Sequence, residues 1–180
     1  MINRETNRLL LRQLNENDMH DIFAYSHLKD VVSMVGMKLH TSLDMTKRYI
    51  LHEQKKNETY GLILKNEDRL IGTVSLRHTD KDASINARLI SIIIHPNYWG
   101  KGYGSEAIKE VLKVAFEEYK VDKVFGGCFS FNARSKSIQE KLGFLYENTD
   151  EESYEYNGKR LDVLNYSMSS ARYQIEVKKW

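Results

Sequence analysis

The chain has 180 residues, 41% hydrophobic and 29% charged, with 27 Lys and Arg against 25 Asp and Glu for a formal net charge of +2. That length supports one domain with its own core, and the interleaved, nearly balanced charge speaks against a nucleic-acid binder, whose basic residues cluster. Cys128 is the single cysteine, so an internal disulfide is excluded, and no apolar run reaches the length of a membrane span. Residues 1–6 hold no apolar segment of the signal-peptide kind. The expectation is a single domain over residues 1–180, in a reducing, cytoplasmic setting, with neither membrane nor nucleic acid as partner.

Taken in chain order, residues 9–14 predict a short strand. Asn15 then opens a helix with Asp18 as its capping-box pair, with Ile22, Phe23 and Tyr25 to Leu28 following in it, and Ser42 opens a second, running to about Lys56. "TYGLILK" and "LIGTVSLRH" read as antiparallel strands joined at Asn66, Glu67 and Asp68. Residues 87–95, "ARLISIIIH", are a third; the apolar end Ile92, Ile93, Ile94 predicts a central strand covered on both faces. After a glycine turn, Ala107, Ile108, Val111, Leu112, Ala115, Phe116 and Tyr119 recur at helical spacing. "VDKVFGGCF" is a further strand. Asn132 opens a helix that ends at Leu142 with Gly143 just beyond it. "SYEYNGKRLDVLNYS" is a hairpin with Asn157-Gly158 as a type I′ turn. The order βααβββαβαββ describes an α+β domain around a mixed sheet.

The turn "HPNYWGKGYGSEA" carries the chemistry. Gly100, Gly102 and Gly104 alternate where a strand ends and a helix begins. Glycine permits positive φ and close backbone approach, and helix N-termini present unpaired N–H groups with partial positive charge. Together they suit a pyrophosphate, with Lys101 as a mobile cation; the plainer reading is a tight turn without a ligand. A Walker loop is absent. "GYGSEA" fits the dinucleotide pattern G-x-G-x-x-A, but that pattern needs an acidic residue closing the next strand, and here "GGCFSFN" closes it while Asp122 precedes it. Coenzyme A is the third possibility. The six histidines are scattered without ligand spacing, so no metal is expected.

"IIIHPNYWGKGYGSEA" followed by "NARSKSIQEKLGF" resembles the GNAT acetyltransferase superfamily, closest to the branch that acetylates N-terminal alanines of ribosomal proteins and to related spermidine acetyltransferases. The likeness extends from "ETNRLLLRQLNENDMHDIF" to "YNGKRLDVLNYSM". Where the superfamily usually has Gln or Arg, Trp99 stands, as is common in this branch. The resemblance implies a GNAT-like α+β fold: a mixed, mostly antiparallel sheet, a central parallel strand pair splayed into a V, and helices on both faces. It also implies acetyl-CoA as cosubstrate and an amine acceptor.

By the same resemblance, backbone groups of Ile92, Ile93 and Ile94 would pair with the pantetheine arm. N–H groups of Trp99, Gly100, Lys101, Gly102, Tyr103, Gly104 and Ser105 would hold the pyrophosphate. Asn132 would contact the cofactor, a backbone N–H near Ile92 would hold the oxyanion, and Ser135 would protonate the leaving thiolate. Asn132 and Ser135 also have a purely structural reading as N-cap and first-turn residue. Gln139 stands where spermidine acetyltransferases often carry a tyrosine. No general base stands out: Arg88 occupies a position where many members have a glutamate, and Glu152, Glu155 and His78 read as solvated surface residues. Cys128 reads as a small buried residue rather than a nucleophile, and Tyr154, Tyr156 and Tyr166 as cover for the sheet. The expected function is transfer of an acetyl group to a primary amine in a ternary complex, with a protein or peptide N-terminal α-amine as favoured acceptor and the enzyme a monomer or homodimer. The alternatives are a small-molecule amine acetyltransferase, for a polyamine or antibiotic-like amine, and a catalytically silent acyl-CoA-binding module.

Overall fold

A computed structural model describes residues 2–180. Eight strands form a mostly antiparallel sheet in the order β1-β2-β3-β4-β5-β6-β8-β7, with one parallel pair, β5 and β6. They are β1 (Arg4–Glu5), β2 (Leu9–Gln13), β3 (Thr59–Leu64), β4 (Arg69–His78), β5 (Ala87–Ile94), β6 (Lys123–Phe129), β7 (Leu145–Tyr156) and β8 (Lys159–Ser169). The helices are α1 (Met19–Ser26), α2 (Lys29–Ser33), α3 (Leu43–Lys56), α4 (Tyr103–Lys113), α5 (Ala133–Leu142) and α6 (Ser170–Glu176). The chain forms two compact units: residues up to Ser75 with Ile92–Glu110, and Leu76–Ser91 with Val111–Trp180.

In the first unit, Leu14, Ile22, Tyr25, Val31, Ile50, Ile63 and Leu70 make a buried cluster, with Ile93 and Trp99 packed on its border. Local chemistry sets the helix starts. The Asn15 side chain accepts from Asn17 N, and Asp18 completes a capping box. Asp18 also receives a two-pronged bond from Arg12 at 2.8 and 2.7 Å. Ser42 Oγ accepts from Met45 N, and α3 stops at Asn57, which adopts a left-handed φ of 54°. Gly72 is needed for packing: a Cβ there would overlap the Ile93 carbonyl oxygen.

In the second unit, β6 pairs with β5 over Ala87–Leu89 and with β8 along its whole length, Gly126 opposite Tyr166 and Cys128 opposite Leu164. The β7–β8 hairpin turns at Asn157 and Gly158, both with positive φ (50° and 75°) as a type I′ turn requires. Asn132 Oδ1 accepts from Ser135 N at 3.1 Å, and Gly143, at φ 88°, closes α5.

Four features depart from the sequence expectation. The two-residue strand β1 and helix α6 are additional; β1 is too short to show a period. The first helix ends at Ser26, and α2 follows separately, because Leu28 is extended (φ −87°, ψ 107°). Beyond α4 the helix widens into one π turn, Val114–Glu118, with Tyr119 N bonding to Val114 O. The extra residue advances the phase by about a quarter turn, so Tyr119 falls outside the buried stripe and is exposed. Finally, Ile92, Ile93 and Ile94 are only half-buried, not covered on both faces. An apolar run reports what its side chains favour, not whether the fold itself supplies the cover.

Candidate active site

The glycine turn lies wholly in the first unit. His95 N bonds to Ile71 O at 2.8 Å where β5 ends, and a 3₁₀ turn, Pro96–Tyr98, follows. Trp99 donates from Nε1 to Ile94 O at 2.7 Å, tying the turn to the strand, while its ring rests on the apolar cluster. Gly100 and Gly102 are both left-handed, φ 73° and 83°. A Cβ on Gly100 would meet nothing within 4 Å, so this chain puts no side chain over that part of the turn. Glu106 N donates to Gly102 O at 3.1 Å as the first bond of the helix. The N–H groups of Tyr103, Gly104 and Ser105 precede it and have no intrahelical acceptor. Successive N–H groups around left-handed glycines at a helix start form an anion nest, and the turn therefore fits a pyrophosphate. Lys101 is exposed, its ammonium 5.4 Å from the Tyr98 ring centre.

Two residues that the sequence reading passed over brace this turn. Arg8 lies with its guanidinium 4.4 Å from the Tyr103 ring centre, donates to Lys101 O at 2.9 Å, and pairs with Glu106 at 2.6 Å. Glu106 also accepts from Thr6 Oγ1 at 2.6 Å and from Arg8 N at 2.8 Å. Burial works against its charge, yet the hydrogen bonds from Thr6 and Arg8 outweigh that and hold its carboxyl below the ordinary value. The only sequence signal was Glu106 in the first turn of a helix; nothing local pairs it with a residue 98 positions earlier.

The second unit brings Asn132 and Ser135 together at the start of α5, facing β6. Cys128 is buried there, and burial pushes its thiol above the ordinary value; the neighbouring Ser135 hydroxyl offsets only part of this. A thiol held protonated is a poor nucleophile. One turn beyond Ser135, Gln139 is 6% exposed, and neither its Oε1 nor its Nε2 has a partner. Its amide occupies the space a side chain at Gly126 would take, since a Cβ there would overlap Gln139 Oε1. This accounts for the first glycine of the Gly126-Gly127 pair inside a strand, where glycine otherwise weakens pairing. Tyr166, opposite Gly126, donates to Glu140 at 3.3 Å; burial and the Glu140 charge push it up to about 12.

The base candidates of the sequence are surface groups. Glu152, Glu155 and His78 are exposed, and His78 lies between Asp80 (3.1 Å) and Arg88 (2.8 Å). His40, in the first unit, is a buried imidazole that the sequence did not single out. Its Nδ1 is 2.9 Å from both Ser26 Oγ and Thr46 Oγ1, and burial lowers its pKa. Among the described residues no cluster of His, Cys, Asp or Glu is arranged to hold a metal ion, and no helix is long and apolar enough to cross a membrane.

Comparison with known proteins agrees with this geometry. The acetyltransferase (GNAT) domain family matches residues 8–145. The Bacillus subtilis protein named uncharacterized N-acetyltransferase YoaA is 27% identical over 176 residues, covering 93% of this chain and 97% of its own. The solved spermidine N-acetyltransferase of Vibrio cholerae, in complex with CoA and spermine, superposes with a TM-score of 0.79 at 22% identity, over 94% of this chain and 99% of that one. The ribosomal-protein-S5-alanine acetyltransferase of Vibrio fischeri gives a TM-score of 0.77 at 19% identity, over 94% and 97%.

Proposed function

The chain belongs to the GNAT acetyltransferase family and is an N-acetyltransferase, and on that premise we propose that it moves an acetyl group from acetyl-CoA to the N-terminal α-amine of a protein or peptide, by direct attack in a ternary complex. In this reading residues 1–180 act as one domain, in the cytoplasm. The observation that carries the acetyl-CoA reading is the glycine turn: Gly100 and Gly102 are left-handed where α4 begins, and Gly100 has open space where a Cβ would be.

Bound acetyl-CoA supplies the thioester carbonyl that the amine attacks. The protein's part is to hold, orient and move protons. The Trp99 N–H, expected from the sequence to join this site, is instead taken by Pro96 O at 3.0 Å, so N–H groups from Gly100 to Ser105 hold the pyrophosphate, and backbone groups of Ile92, Ile93 and Ile94 pair with the pantetheine arm. The half-buried state of these three isoleucines suits a ligand that completes their cover. A backbone N–H near Ile92 stabilises the oxyanion. Asn132 contacts the cofactor, and Ser135 gives a proton to the leaving thiolate. With the Cys128 thiol raised by burial, a covalent acetyl-enzyme is disfavoured.

The acceptor assignment rests on two supports. An α-amine has a pKa near 7.7–8.0 against about 10.4 for lysine, so it is neutral more often at pH 7, which suits a site with no strong base. Gln139 replaces the tyrosine that spermidine acetyltransferases often carry. The two named structural relatives stand for the competing acceptors: one is a spermidine acetyltransferase, the other a ribosomal-protein-S5-alanine acetyltransferase. The test is a competition for acetyl-CoA-dependent transfer among peptides with a free N-terminus, N-terminally blocked peptides bearing a free lysine, and spermidine. The free N-termini are expected to win; preference for spermidine or another small amine would replace the peptide assignment with a small-molecule one.

A further inference from the structure

We infer that Arg8 is a positioning residue for the cofactor's phosphates: it fixes the peptide plane that aims the Gly102 N–H out of the glycine turn. The inference rests on the acetyl-CoA reading above and adds to it a residue from the other end of the chain.

The guanidinium uses its whole fork. Nη1 donates to Lys101 O at 2.9 Å, while Nε and Nη2 meet Glu106 Oε2 at 2.7 and 2.6 Å. The other carboxylate oxygen, Oε1, accepts from Thr6 Oγ1 at 2.6 Å and from Arg8 N at 2.8 Å. The peptide joining Lys101 to Gly102 is trans, as are all described peptides. In a planar trans peptide the C=O and N–H point in opposite directions. A Lys101 carbonyl held by Arg8 therefore turns the Gly102 N–H away from Arg8. The next plane is fixed as well, because Gly102 O accepts from Glu106 N at 3.1 Å. Its N–H, on Tyr103, then faces out along the start of α4. Both N–H groups are thus pre-aimed before any anion arrives, which removes an ordering cost from binding.

Arg8 has a second effect through the same contacts. Glu106 sits in the first turn of α4, where an unpaired carboxylate would oppose an incoming phosphate. The Arg8 fork neutralises it, and the Tyr103 ring, 4.4 Å from the guanidinium, keeps that fork in place. A lysine would retain the charge but not the planar fork, so it could not hold the Glu106 carboxylate and the Lys101 carbonyl together.

The experiment titrates isotope-labelled protein with CoA and, separately, with pantetheine, which has the same thiol arm without phosphates. In the wild type, CoA is expected to move the Gly102 and Tyr103 amide resonances, and pantetheine to leave them in place. Arg8→Lys is expected to weaken CoA by about tenfold while pantetheine stays within about twofold. Glu106→Gln, a milder change to the same clamp, is expected to give a smaller loss, again for CoA alone. Equal weakening of both ligands would reduce Arg8 to a structural tie between β2 and α4, and unchanged CoA affinity would remove it from the site. Failure of CoA to bind the wild type would overturn the acetyl-CoA reading itself, and this inference with it.

Discussion

Ser135 and Cys128 are neighbours facing the same interior, yet their surroundings assign them different chemistry. The Cys128 thiol is raised by burial, whereas Ser135 lies at the first turn of α5, its N–H bound to Asn132 Oδ1. Ser135→Ala is expected to lower kcat by about tenfold or more, roughly 1.4 kcal/mol in barrier, with acetyl-CoA affinity nearly intact, because a proton donor acts in the transition state. Cys128→Ala is expected to keep most of the activity. Initial-rate patterns varying both substrates should intersect; parallel lines, or an acetyl group trapped on Cys128, would establish a covalent route instead. The sequence named both residues and Gln139 beside them, but not that the Gln139 amide is buried, since burial is a property of packing and leaves no local pattern.

At the scale of elements, two left-handed glycines do different work. Gly158, in the β7–β8 turn at φ 75°, has open space where a Cβ would be. Gly143, at φ 88°, closes α5 against α6: a Cβ there would meet Glu176. Glu176 is buried and paired with Arg172 at 2.8 Å and Lys179 at 3.0 Å, so it cannot retreat without breaking those contacts. Gly158→Ala should cost only backbone strain, about 1 kcal/mol. Gly143→Ala should cost about 2–4 kcal/mol, strain plus displacement of the buried Glu176 carboxylate from its half-exposed partners. Urea unfolding of the two variants checks the ranking; equal losses would mean that Glu176 moves freely. Both glycines were legible as turn residues in the sequence, but the contact that separates them comes from α6, a helix the spacing did not reveal.

For the molecule as a whole, acid stability should fall in two limbs. Burial lowers His40 from 6.5, with Ser26, Thr46 and the Tyr49 ring against it. A group whose folded pKa is depressed binds its proton more readily when unfolded, so stability is complete above the unfolded value and is lost as pH falls through the folded one. The first limb therefore begins near pH 6.5. Glu106, lowered from 4.5, adds a second limb that begins near pH 4.5. His95, likewise lowered from 6.5 by burial, shares the first limb, so His40→Gln should flatten part of it and Glu106→Gln part of the second, measured as denaturation midpoints from pH 8 to pH 3; a His40→Gln profile as steep as the wild type between pH 7 and 5 would exclude His40 as a cause. What the sequence determined by itself was what short spacing can encode. The Asn15, Ser42 and Asn132 caps, the Asn157-Gly158 turn, the alternating glycines and the GNAT likeness each lie within a few residues, where local φ and hydrogen-bond preference decide the outcome. Only the tertiary structure decided that Arg8 braces Lys101 and Glu106, that Ile92, Ile93 and Ile94 remain half-covered, and that Gln139 fills the place of a side chain at Gly126. Those arrangements join groups far apart along the chain, and no local preference specifies which distant group will share a space.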